Sequence, residues 1–182
     1  MARSSQAVAA VNGSFFSANG EIIGLMKLNK ELISTPGPAR TALGILPDGT
    51  MIFDQVSYEG YVELPGGVRA AVSGVNRQRG DDELIIYNPS YHTSTGTNEY
   101  GREYTIENDR VTAISSGNSP LPPGAVVISA HGKAAQALAP LKVGVPVRIS
   151  HSLGEQYDRA VHVVGGGPML VRDGSVFLTT KL

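Results

Sequence analysis

Short apolar, β-branched runs recur along the chain, each closed by a turn signal, and a single run of good helix formers interrupts them. That alternation is the signature of a strand-and-turn fold. It predicts strands over Ala7–Phe16, Glu21–Leu28, Ala42–Leu46, Met51–Val62, Val68–Val75 and Glu83–Tyr87. Further strands are expected over Glu103–Ile106, Val111–Ser115, Ala125–Ser129, Pro146–Ser150, Ala160–Val164 and Met169–Val171. Asn19-Gly20, Pro47-Asp48-Gly49, Pro65-Gly66-Gly67, Asn108-Asp109 and Asp173-Gly174 supply hairpin-type turns between them. Lys133–Leu141, rich in Ala, Leu and Gln and with Pro140 near its end, is the expected helix. Ser4–Ala10 offers a second, shorter one. The fold class that follows is a β-rich α+β domain with mixed or antiparallel sheets and few helices. No charged linker, repeat or low-complexity tract divides it, and the proline-rich stretch Ser116–Gly124 reads as an internal loop, so 1–182 is one domain.

Composition narrows the chemistry. With no cysteine among 182 residues, disulfide scaffolds, thiolate zinc sites, iron–sulfur clusters and cysteine nucleophiles are excluded. A formal charge of −1, from 15 basic and 16 acidic residues, argues against nucleic acid as a partner. The apolar runs fall well short of the ~20 residues of a membrane span. Met1–Gln6 is polar, so no secretory signal is expected there. Chains of this size can bury roughly 70% of their unfolded surface, enough for a core without staples.

Four stretches can carry chemistry. Val11-Asn12-Gly13-Ser14-Phe15-Phe16 ends an apolar run in Asn-Gly, where the Asn12 amide can hold a pair of sugar hydroxyls. The competing account is a β-bulge with both rings in the core. Val163-Val164-Gly165-Gly166-Gly167-Pro168-Met169 lets a ligand or a second backbone approach closely and can aim N–H groups at an anion. Its spacing matches neither a P-loop nor a dinucleotide fingerprint. The polar loop Ser90–Glu103, with His92, Thr95, Thr97 and Asn98, has the hydroxyl and amide density of a carbohydrate site, or of an exposed hairpin loop. His131 stands where a strand gives way to the helix, placed to act as acid or base, to contact phosphate, or simply to pack. Among Asp48, Asp54, Glu63, Asp81, Asp82, Glu83, Glu103 and Asp158, Glu103 is the best placed carboxylate because it enters a strand from that loop. His92, His131, His151 and His162 are too scattered for a metal signature. No cofactor is expected; loop oxygens leave room for structural Ca²⁺, although no calcium-loop motif is present.

Taken in order, Asn12-Gly-Ser-Phe-Phe16, Arg40-Thr-Ala-Leu-Gly44 with Asp48-Gly49, Thr95-Gly-Thr-Asn98, Gly101 with Glu103, and Gly165-Gly-Gly-Pro-Met-Leu170 resemble the phosphodiester glycosidase family. Its members include the N-acetylglucosamine-1-phosphodiester α-N-acetylglucosaminidases and relatives described as exopolysaccharide-biosynthesis proteins. The resemblance spans nearly all of the chain and implies hydrolysis of the bond between a sugar's anomeric carbon and phosphate. It also implies a carbohydrate or sugar-phosphodiester partner and an extracellular or envelope location. On it, Gly165, Gly166, Gly167, Arg40 and Arg77 are the anion-binding candidates. Asn12 and Asn98 would hold sugar hydroxyls, and Glu103 and His131 would serve as base or acid.

In that family the Gly-Gly-Gly-Pro strand is followed by an Arg-Thr-Ala-Ile-Gly motif, an Asp-Gly pair and a late Asp-Gly-Gly-Ser/Thr motif. Here the sequence ends at Leu182, and Arg40-Thr-Ala-Leu-Gly44 resembles the later motif in the earlier place. Set against that pattern, with the material before Asn12-Gly-Ser-Phe-Phe16 missing as well, the chain reads as a fragment, as one half of a split protein, or as a shortened relative with a lost activity; in the first two cases its partner is a C-terminal segment or a second chain. The alternative function is a non-catalytic carbohydrate-binding or envelope-assembly module that keeps the sugar pocket.

Overall fold

The computed structural model describes residues 4, 6–10, 13–37 and 40–177. Its elements are strands and turns with two short helices, as the alternation of apolar runs and turns predicts. A five-stranded sheet carries the order β12 (Arg110–Ser115), β11 (Arg102–Glu107), β13 (Val126–Ala130), β10 (Leu84–Tyr87) and β9 (Gly74–Val75). Only the β9–β10 pair in it is parallel. Three antiparallel strands, β14 (Arg148–Ser152), β7 (Glu59–Glu63) and β8 (Arg69–Ala71), form a second sheet.

The third sheet matters most for function. It is antiparallel, in the order β4 (Glu31–Ser34), β3 (Met26–Leu28), β15 (His162–Gly165), β5 (Arg40–Ile45) and β6 (Met51–Val56). Two hairpins complete the fold: β1 (Phe15–Phe16) with β2 (Ile22–Ile23), and β16 (Val171–Arg172) with β17 (Ser175–Val176). The helices are α1 (Gly132–Ala137) and α2 (Glu155–Arg159).

Local chemistry explains several corrections to the expected elements. Of Ala7–Phe16 only Phe15–Phe16 is strand, and Val11 and Asn12 lie outside the described residues; no helix occupies the described part of 4–10. The Glu21–Leu28 run is broken at Gly24, whose φ of 118° suits glycine alone. Met51–Val62 splits into β6 and β7 at Ser57-Tyr58. The Asn108-Asp109 and Asp173-Gly174 turns have positive φ at both positions, the type I′ geometry that matches strand twist. At Pro47-Asp48-Gly49 the Asp48 carboxylate accepts the Thr50 amide at 2.9 Å. The helix is shorter than Lys133–Leu141 because Leu138 already leaves helical geometry.

The core has three clusters, one of them formed by Ile85, Tyr87, Leu121 and Val127. A larger cluster around Val62, Leu84, Ile86, Tyr104, Ile128 and Leu138 and a smaller one around Ala42, Val56, Tyr157 and Val163 are both covered by Leu32 and Tyr58. Directly opposed residues share a face of a sheet, so Ala42, Gly44 and Val163 turn together towards Tyr157 of α2. Gly44 is required there, since a Cβ would lie 2.8 Å from Ile52 Cγ1 and 3.1 Å from the Tyr157 ring. Lys27 is buried beside them and donates to the Tyr157 and Asp158 carbonyls at 3.1 and 2.9 Å, capping the end of α2. The opposite face of the same sheet presents Thr41, Leu43, Phe53 and Val164. Among the described residues no helix is long and apolar enough to cross a membrane.

Candidate functional site

That second face floors an open cleft of about 1100 Å³. Three segments build its walls: Gly13-Ser14-Phe15, Thr41-Ala42-Leu43 with Phe53-Asp54, and the continuous run Val164–Asp173. Gly13 passes so close over β15 that a Cβ would meet Val164 Cγ1 at 3.2 Å. Ser14 holds a left-handed φ of 61° and donates its hydroxyl to the Ile23 carbonyl at 3.2 Å. This strained turn aims the N-terminal motif across the sheet face.

The glycine run serves the packing of strands and the shape of the cleft together. Gly165 N–H donates to Leu25 O at 2.7 Å and Gly166 N–H to Thr41 O at 2.8 Å, so these two amides are committed to neighbouring backbone. A Cβ at Gly165 would meet Leu25 N and O at 3.1 Å. Gly167 has nothing within 4 Å of that position, and a ligand can approach its backbone freely.

Charge gathers at the rim. Arg172 Nη2 lies 3.4 Å from Asp54 Oδ1, its Nε reaches Met169 Sδ at 3.2 Å, and its guanidinium covers the Phe177 ring at 4.6 Å. Asp54 also accepts the Gln55 amide at 2.8 Å. Asp173 lines the cleft at the tip of the β16–β17 hairpin. Arg40 stacks 5.4 Å above the Phe15 ring and borders a small recess that shares Ser14, Phe15, Gly165 and Gly166 with the cleft. It makes no ion pair among the described residues.

The other expected site residues lie elsewhere. Glu103 is fully buried in β11 and does not line the cleft. Its carboxylate accepts the Thr97 hydroxyl at 2.7 Å, the Ser119 amide at 2.8 Å and the Thr95 hydroxyl at 3.2 Å. Burial pushes this carboxyl up, but the hydrogen bonds from Ser119, Thr97 and Ser129 outweigh it and hold it below the usual glutamate value. A low-lying, enclosed carboxylate is a poor proton shuttle and a good organiser of a loop.

Asn98 is drawn into the same network: Arg79 Nη2 donates to its Oδ1 at 2.8 Å while Arg79 Nη1 donates to Ser129 Oγ at 2.7 Å. Arg77 is engaged twice by Glu83, at 2.6 and 2.8 Å, and its bonds hold the Glu83 carboxyl below the usual range. The fork that would grip phosphate is therefore occupied. His131 stands at the start of α1, with Nδ1 3.6 Å from Asp81 and 3.4 Å from the Asp82 amide. It lines no part of the cleft, and Asn12 lies outside the described residues.

Of the expected residues, then, the cleft brings together Gly165, Gly166 and Gly167, while Arg40 lines only the adjoining recess. Ser14, Thr41 and Leu170 reach it within motifs already singled out, and Asp54 was one carboxylate among eight. Phe53, Arg172 and Asp173 carried no signal beyond their place near a turn or after the glycine run. Among the described residues no group of three or more His, Asp or Glu gathers as a metal site.

No family model matches the chain, and no curated protein matches it. Among solved structures, it is similar to a hypothetical protein from Synechocystis, with a TM-score of 0.82 and 23% identity over 98% of this chain and 35% of that one. It is also similar to a Burkholderia pseudomallei K96243 protein described as exported, with a TM-score of 0.75 and 19% identity over 95% of this chain and 44% of that one. The chain thus spans less than half the length of either relative, and at these identities the likeness establishes the fold alone.

Proposed function

We propose that the cleft binds a sugar-1-phosphodiester and that the reaction is hydrolysis of the bond between the anomeric carbon and phosphate. The observation that supports this reading most is convergence: three segments that carry the family resemblance, 13–15, 41–43 and 165–170, meet in one cleft from distant parts of the sequence. Arg172 in the cleft and Arg40 in the adjoining recess are the cations available to the phosphate. The open backbone at Gly167 allows close approach. Ser14, Thr41 and the carboxylates of Asp54 and Asp173 are the polar groups available to sugar hydroxyls and water.

In this scheme Asp54 or Asp173 takes the place first expected of Glu103 and His131. One carboxylate accepts a proton from water as its oxygen bonds to the anomeric carbon, and the phosphate monoester leaves with the electrons of the broken C–O bond. Phosphate is a good leaving group, so positioning and charge stabilisation carry more of the work than acid assistance. The exported Burkholderia relative fits an extracellular or envelope setting for such a substrate.

A second reading, a non-catalytic carbohydrate-binding or envelope-assembly module, is favoured by the distance of Glu103 and His131 from the cleft. One experiment separates the two. Release of free sugar from N-acetylglucosamine-1-(methyl phosphate), lost in Asp54→Asn and Asp173→Asn together, supports hydrolysis. Saturable binding without release supports the module, and neither binding nor release overturns both.

A further inference from the structure

The β1–β2 hairpin brings Ser14 and Phe15 to the cleft, and its strands are only two residues each. A hairpin so short keeps no fixed orientation by itself. Its base is secured where Gly13 crosses Val164 and where Ser34 donates its hydroxyl to the Gly24 carbonyl at 2.6 Å. Gly24, with its φ of 118°, is a pivot at that base. The far end is held by one side chain. Glu21, which follows the turn and pairs back to it by accepting the Ser17 amide on its carbonyl at 2.9 Å, accepts the Tyr91 hydroxyl on its carboxylate at 2.7 Å. That bond spans 70 residues of sequence.

Tyr91 stands on a rigid support. Asn76 Nδ2 donates to Asn88 Oδ1 at 2.7 Å, the Asn88 amide returns to Asn76 Oδ1 at 2.9 Å, and the Tyr91 amide donates to the Asn88 carbonyl at 3.1 Å. The Tyr91 ring lies 5.0 Å from that of Tyr87, which is fully buried in β10, and 4.2 Å from that of His92. Burial, and after it the bond to Glu21, pushes the Tyr91 phenol up, so it keeps its proton and donates. A hydroxyl given to a carboxylate is among the stronger hydrogen bonds a side chain makes.

We propose that Tyr91 is a positioning residue for the cleft: through Glu21 it fixes the tip of the β1–β2 hairpin, and so sets where Ser14 and Phe15 stand in the cleft wall. Neither Tyr91 nor Glu21 lines the cleft, so both act at a distance from the ligand. The consequence for binding rests on the sugar-phosphodiester reading argued above. Without the tie the hairpin swings about Gly24, and a ligand must order the wall before it can use it.

The test uses Tyr91→Phe, which keeps the ring and its packing and removes only the hydroxyl. Exchange of the Ser17 and Gly20 amides, both bonded within the hairpin, is expected to accelerate about tenfold, while amides of β10 and β13 and the melting point stay near wild type. Binding of N-acetylglucosamine-1-(methyl phosphate) is expected to weaken about threefold or more. Glu21→Gln, which keeps an acceptor for the phenol, retains most of both properties. Glu21→Leu matches Tyr91→Phe, and the double variant is no worse than either single one, as two halves of one bond require. Unchanged exchange in Tyr91→Phe overturns the inference, and so do effects of Tyr91→Phe and Glu21→Leu that simply add. Faster hairpin exchange with unchanged ester affinity also overturns it, because the tie is then structural only, and the phosphodiester reading stands. A wild-type chain that does not bind the ester overturns that reading instead, and the positioning role with it.

Discussion

The Ser119 amide donates to Glu103 Oε2 at 2.8 Å, and through that bond the loop between β12 and β13 closes on the start of β11. Thr95 N–H to Ser119 O and Leu121 N–H to Thr93 O, both 2.9 Å, run alongside it. Thr97 completes the enclosure by donating to Oε1 and accepting the Asn118 amide at 3.1 Å. A carboxylate at this position is thus the common acceptor for two loops.

Glu103→Gln would place an amide where several donors converge, leaving donors facing donors in a buried site. The expected cost is about 2–3 kcal/mol, the range for hydrogen bonds to a charged group. The folded carboxyl lies below the unfolded one, so its stabilisation is complete above about pH 4.5 and is lost as pH falls through the lower folded value. Urea melts across pH 3–6 would show wild type losing stability on acidification with a steeper slope than Glu103→Gln. Parallel curves would remove the carboxylate from this role.

Gly165 and Gly167 are two residues apart and should respond oppositely. A Cβ at Gly165 meets the Leu25 backbone at 3.1 Å, and backbone within a paired sheet yields little. Gly165→Ala is expected to cost about 1–3 kcal/mol by forcing β3 and β15 apart. Gly167→Ala meets nothing within 4 Å and should stay within about 0.5 kcal/mol of wild type. Chemical denaturation of the two variants side by side tests the assignment of one glycine to packing and the other to the cleft.

The strands were legible because period-2 apolar runs and Asn-Gly or Asp-Gly turns are local signals, and β5, β10, β11, β12 and β13 lie where those signals put them. Short elements with weak local signals were not: Glu31–Ser34 pairs β3 across an Asn29-Lys30 turn that carries no glycine, and Glu155–Arg159 is a single helical turn anchored by the burial of its own Tyr157. For the site, the glycine run and the Arg40 strand could be read because backbone demands leave a mark in composition. The polar loop could not be placed, since hydroxyl and amide density is the same whether it faces a sugar or, as with Thr97 and Asn98, an internal carboxylate and Arg79. Pairing across the sheet is what sends Phe53 to the cleft, and sequence distance alone does not disclose it.

Arg172 is the main described side-chain tie between the β16–β17 hairpin and the sheet, through Asp54. With the two side chains 44% and 67% exposed, that pair contributes well under 1 kcal/mol to global stability. Asp54→Asn should therefore leave the melting midpoint within about 0.5 kcal/mol of wild type. An isolated two-stranded hairpin is marginal by itself, so amide exchange over 171–176 should accelerate severalfold in the variant. High salt should produce the same acceleration in wild type and little further change in Asp54→Asn.

Arg77 and Arg40 were equal candidates for phosphate, and the structure separates them. Arg77 spends both terminal nitrogens on Glu83 at 2.6 and 2.8 Å, with further bonds to the Ser73 and Gln78 carbonyls at 3.0 Å. Arg77→Ala would strip four hydrogen bonds from the turn after β9 and leave the Glu83 carboxylate without its cation. A stability loss of about 1–2 kcal/mol is expected, reduced from the buried-pair range because both side chains retain water contact. Arg40 spends its guanidinium on the face of Phe15 alone, a contact worth about 0.5–1 kcal/mol at an exposed site. Arg40→Ala should thus melt close to wild type yet weaken binding of N-acetylglucosamine-1-(methyl phosphate) by about tenfold or more, the value of one charge-assisted phosphate contact. Calorimetric titration of the two variants against that ester, beside their urea melts, gives crossed results if the assignment holds: stability lost in one, affinity in the other. Affinity lost in Arg77→Ala with Arg40→Ala unaffected would move the anion site from the glycine-walled cleft to the β9–β10 turn.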